Sequence, residues 1–133
     1  MSSSPTPTPS SSAMAPNVGD SAMSWFETHQ TTIDTLTNDV GAVAKDSTDM
    51  GSLSSNCTRL ATDEHTAEQV PPIPDAQAQT HWAAALNDLR AGAKDCNAGA
   101  SDSNLDQVMQ GVGQIMKALG ELQATMQRLT AAA

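Results

Sequence analysis

The amino-acid sequence predicts an all-α fold, a small antiparallel bundle of three to four helices behind a disordered N-terminal tail. Three observations carry that expectation. Apolar residues recur at gaps of three and four over several long stretches, the spacing of one helix face, and the alternation of a half-buried strand is absent from the clearest of them. The aromatic residues are only Trp25, Phe26 and Trp82, with no Tyr, so the core has to be built from Leu, Val, Ile, Met and Ala. Pro71, Pro72 and Pro74 force extended backbone and divide the periodic part in two.

In chain order, residues 1–19 carry no charged side chain and read as Ser/Thr/Pro-rich low complexity. Such a segment buries too little apolar surface to offset the entropy of ordering it. The domain organisation is therefore a tether over residues 1–20 and a bundle over 21–130. Its helices are expected near 22–45, 48–68, 76–97 and 103–130.

Ser21 is placed to cap the first helix. Its inward face is Phe26, Ile33, Leu36, Val40 and Val43, with His29 on the same stripe and Trp25 beside it. Near Lys45–Thr48 the pattern hesitates. Asp46 and Asp49 have the spacing of an N-cap and its N3 acid. The stripe crosses this join with little phase error, so one long helix is the alternative. Gly51 and the many Ser and Thr residues favour a break. The second helix turns Met50, Leu53, Cys57, Leu60 and Ala61 inward. Asp63, Glu64 and Glu68 at its end read as a solvated face, at a helix terminus that does not favour acids.

Asp75 follows the prolines as an N-cap. Trp82, Leu86, Leu89, Ala93 and Cys96 then form one face, and Asn97–Gly99 reads as the helix end. The last helix has the cleanest heptad pattern, Leu105, Val108, Val112, Ile115, Leu119, Leu122, Met126 and Leu129. Met109 and Met116 widen this stripe. Gly111, Gly113 and Gly120 each cost about 1 kcal/mol relative to Ala inside a helix; they either admit a close neighbour or leave the helix mobile. Ala131–Ala133 are expected to fray.

Cys57 and Cys96 lie on the inward faces of the two helices that flank the prolines, which suggests a disulfide; two buried thiols are the alternative. A tight turn after residue 68 would set Cys57 opposite residue 87. Pairing with Cys96 needs a shift of about nine residues, roughly 14 Å along the helix. An extended Val70–Asp75 segment at about 3.1 Å per residue covers that distance. The first turns of the third helix then project past the second, where Trp82 meets the prolines. A persistent structural disulfide points to an oxidising compartment.

The succession Trp25, Asp39, Asp49, Cys57, Leu60, then PPIPD, His81–Trp82, Leu86, Leu89, Cys96 and Gly99 resembles small exported or lipid-anchored helical proteins of actinobacteria, mycobacteria included. The likeness covers roughly residues 25–100, and PIPD followed by HW and the downstream cysteine is its most specific element. It implies a disulfide-linked, all-helical envelope protein of unassigned activity, so no functional residue is carried over. Actinobacterial phages and prophages encode small surface proteins of this type, some of which exclude competing phages.

Composition narrows the function. The net charge is −9, with ten acidic and two basic residues in 20–75 against five and four in 76–133. Six Lys and Arg make no nucleic-acid footprint, and an acidic surface disfavours anionic lipid. His29, His65 and His81 are isolated, and no nucleophile motif, phosphate loop or zinc spacing is present. The expectation is a non-enzymatic envelope interaction module, extracytoplasmic, without cofactor or metal, and membrane-linked only through an N-terminal lipid anchor. Its partner is another envelope protein or a second copy bound through the last helix. Trp82, Met109 and Met116 are the candidate contact residues. A carrier of a small apolar ligand, using Met109, Met116 and a cavity between helices, is the alternative.

Overall fold

The computed structural model describes residues 18–46 and 48–132. Four helices follow in order: α1 (Val18–Lys45), α2 (Met50–Ala67), α3 (Ala76–Ser101) and α4 (Leu105–Ala132). Each packs on the next and α4 closes on α1, while the diagonal pairs stay apart among the described residues. Directions alternate. Asn56 of α2 donates to Ala42 O and Asp46 Oδ2 near the end of α1, and Arg128 near the end of α4 meets Asp75 at the start of α3.

The predicted break between α1 and α2 is present. Asp49, not Asp46, is the N-cap: its Oδ1 accepts from the backbone N–H groups of Gly51 and Ser52 at 3.1 and 3.2 Å. Helix α1 starts at Val18, so Ser21 lies inside it and does not cap it, and Val18–Asp20, the end of the expected tether, are its first residues. The expected tail otherwise falls on residues 1–17, outside the described residues. At the other end α4 continues to Ala132.

The bundle has one short wall. Helix α2 has 18 residues against 28 for α1 and 26 for α3. At about 1.5 Å per residue it stops roughly 15 Å short of α1. The linker Glu68–Asp75 fills the gap and is fastened along its length. Trp25 Nε1 donates to Pro71 O at 2.8 Å, the Ile73 N–H donates to Gln79 Oε1 at 2.8 Å, and Ile73 itself is buried. Asp75 then caps α3, accepting from the Ala78 N–H at 2.9 Å. Behind the linker Trp25 and Trp82 meet edge to face at 5.5 Å, and His29 lies against Trp25 at 5.0 Å. Trp25 is therefore buried and Phe26 only half-buried, the reverse of the predicted order. The larger ring fills the space that α2 leaves open.

This staggering sets the disulfide. Cys57 and Cys96 are fully buried and bonded, with Cα atoms 6.2 Å apart. Thr58 donates to Asn97 Oδ1 beside the bond, and Arg90 reaches Glu68 further along the same pair of helices, towards the linker. The register is the one that an extended linker requires.

Helices α3 and α4 approach most closely. A Cβ at Gly111 would lie 2.6 Å from Cys96 N and Gly92 O, and one at Gly99 would lie 2.7 Å from Val108 N. Gly99 therefore stays within α3 rather than ending it, because the tight return of α4 crosses its face. The helix ends two residues later in a Schellman arrangement. Asn104 N–H donates to Gly99 O at 2.8 Å and Ser103 N–H to Ala100 O at 3.4 Å, with Ser103 at φ 54°.

Candidate interaction surface

The residues that face solvent are as informative as the core. Along α4, Val108, Val112, Ile115, Leu122 and Leu129 are buried as the heptad pattern predicts. Leu105 is not: it is 59% exposed, in the first turn of α4. Met109 and Met116 are 51% and 40% exposed. They do not widen the core stripe, since α1 and α3 occupy the two sides of α4 that face the bundle. With Val112 at its inner edge, the line Leu105–Met109–Met116 forms an apolar strip along the outer half of α4. These three are the large apolar side chains exposed among the described residues.

Trp82 is 2% exposed, a core residue rather than a contact residue. It does back a surface cleft of about 440 Å³, formed where α3 overshoots α2 and walled by Val70, Pro72, Gln79, Leu86 and Arg90. The cleft is open to solvent and lies on the linker side of the bundle. Met109 and Met116 do not line it, so the methionines and the cleft do not combine into the inter-helix cavity expected of a carrier.

The acids are arranged in a way that residue spacing does not announce. Glu64, expected on a solvated face, is 2% exposed, because α3 runs past the end of α2 and covers it. Its carboxyl lies against Glu68 with Arg90 nearby. Asp39 of α1 is 6% exposed and lies against Asp63 of α2, with Arg59 nearby. Glu121 of α4 meets Asp88 of α3 with Lys117 nearby. In each pair one oxygen is buried with no donor among the described residues: Asp39 Oδ2, Glu64 Oε2 and Glu121 Oε1. Burial, and then the neighbouring carboxyl, push Asp39 up to about 7, Glu64 to about 8 and Glu121 to about 7. A proton held between the two carboxyls supplies the missing donor.

The opposite case is Asp75. Its two oxygens accept from Arg128 Nε at 2.8 Å and Nη2 at 2.9 Å. With the Ala78 N–H this holds its carboxyl down at about 2. The pair locks the start of α3 to the end of α4 at the end of the molecule where the linker arrives.

His29, His65 and His81 are not brought together by the fold, and no group of three His, Cys, Asp or Glu suited to a metal forms among the described residues. No described helix is long and apolar enough to cross a membrane. No protein-family model, curated protein or solved structure matches the chain.

Proposed function

We propose that this chain is a non-enzymatic, extracytoplasmic interaction module, a disulfide-stapled bundle held at the cell envelope by the Ser/Thr/Pro-rich segment that precedes α1, as a lipoprotein tether. The observation that carries the interaction reading is the exposed Leu105–Met109–Met116 strip. Single exposed apolar side chains are ordinary, but a contiguous apolar strip is the usual mark of a protein-contact surface, and Met adapts its shape to a protein surface better than branched residues do. The fully buried Cys57–Cys96 bond supports the oxidising compartment.

The test uses the full chain in its host, with a photo-crosslinking amino acid at position 109 or, as control, at exposed Thr37 on α1. Crosslinks to a defined protein at position 109 and not at 37, together with digestion of the chain by protease added outside intact cells, are the expected results. Equal labelling at both positions refutes the interaction surface. Full protection from the protease, with both cysteines reduced in cells, refutes the location.

A further inference from the structure

The exposed face of α4 has a second feature that the monomer does not explain. Gly111 is accounted for by the backbone of α3, but a Cβ at Gly113 or Gly120 would find no atom within 4 Å. Each of these glycines weakens an exposed helix by about 1 kcal/mol relative to Ala. At about 100° per residue, Leu105, Met109, Gly113, Met116 and Gly120 fall within one sector of about 80°. The bare backbone and the exposed apolar side chains thus share a face. Asp106 and Lys117 lie together along one border of that sector, separated by about three turns.

This pattern is self-complementary. In an antiparallel pair of α4 helices related by a two-fold axis near the Val112–Gly113 peptide, Leu105 of one copy faces Gly120 of the other. Met109 then faces Met116, and Gly113 lies beside the axis, where backbones come closest. In antiparallel pairs the same border meets itself, so Asp106 of each copy approaches Lys117 of its partner, a 70% exposed side chain whose ammonium lies 3.8 Å from Asp88 of its own chain and is shared between the two carboxylates. The face therefore contains knobs, the gaps that receive them, and opposite charges in matching register. We infer that α4 is an isologous docking surface whose partner is a second copy of this chain. This rests on the interaction reading above and names its partner. Three exposed side chains cover much less than the roughly 800 Å² per partner of a stable dimer, so the association is weak and reversible. The net charge of −9 on each copy opposes it at low salt, a repulsion that physiological salt screens beyond about 8 Å.

Sedimentation velocity on the oxidised chain, up to about 200 µM in physiological salt, measures the association in the range of weak interfaces. A reversible monomer–dimer equilibrium is expected. G120K fills the seat of Leu105 at a position with open space in the monomer, so helicity and melting temperature are kept or raised, while the dissociation constant rises at least about tenfold, the scale of an interface hot spot. D106K and K117E each weaken self-association, whereas an equimolar mixture of the two associates, because of the three variant pairings only the mixed one has opposite charges at both contacts. A wild-type chain that stays monomeric throughout, a G120K variant that dimerises normally, or a mixture no better than its components overturns the proposal. If the chain is monomeric and position 109 still crosslinks to a different envelope protein, self-pairing fails and the interaction reading stands.

Discussion

Substituting Gly111 by Ala tests the packing of the bundle most directly. A Cβ there would lie 2.6 Å from both Cys96 N and Gly92 O and 3.1 Å from Cys96 Cα. Ordinary contact begins at 3.4 Å, so α3 and α4 have to separate by about 0.8 Å, the difference between the two distances. The obstructing atoms are backbone and cannot rotate aside, and Cys96 is also tied to α2 by the disulfide. Overpacking of this kind costs about 1–3 kcal/mol, here at the upper end, and better helix propensity returns about 1. The net loss is about 2 kcal/mol, which lowers the urea midpoint by roughly 1 M for a small domain. Urea unfolding followed by circular dichroism on oxidised protein, at a concentration low enough for monomer, measures it. Gly113→Ala and Gly120→Ala provide the contrast, each gaining up to about 1 kcal/mol because their Cβ atoms enter open space. A Gly111→Ala midpoint equal to or above that of wild type would refute the close-seam argument, and a matching loss in all three variants would show that helix mobility rather than space is what the glycines supply.

Stability should depend on pH in a direction set by the acid pairs. Asp39, Glu64 and Glu121 bind a proton more tightly folded than unfolded, so their contribution is complete below about pH 4 and is lost as pH rises through 7 to 8. Asp75 acts in the opposite sense, contributing above about pH 4 and losing its effect as pH falls towards 2. The melting temperature is therefore highest near pH 4–5 and falls towards pH 8; Glu64→Gln, whose amide can donate to Glu68, flattens the alkaline limb, and a profile that rises towards pH 8 contradicts the assignment. Removing the staple with Cys57→Ala and Cys96→Ala should cost on the order of 4 kcal/mol for this loop in the chain-entropy model, read as a lower denaturant midpoint with unchanged helicity. Ser103→Gly should stabilise by about 1 kcal/mol, since Ser103 holds a left-handed conformation that glycine adopts without strain. Equal stability of wild type and variant would place the strain elsewhere.

The helices, the break before Asp49, the cap at Asp75 and the Cys57–Cys96 pairing were all legible in residue order. Each rests on local rules or on chain length: periodicity places a face, a cap needs a side chain three residues from a free N–H, and an extended linker has a calculable reach. What residue order left undecided were choices between neighbours of equal chemistry. Gly111, Gly113 and Gly120 are alike in sequence, yet only Gly111 lies against another backbone. Leu105 continues the heptad of α4 but is exposed where the bundle ends, while Glu64 looks like its solvated neighbours and is covered by α3. Trp25 displaced Phe26 from the core because the short α2 left a space that the larger ring fills. Periodicity says which side of a helix is apolar. How far each neighbouring helix extends, and so which residues on that side are covered, depends on the relative heights of all four, and that is set only when they pack.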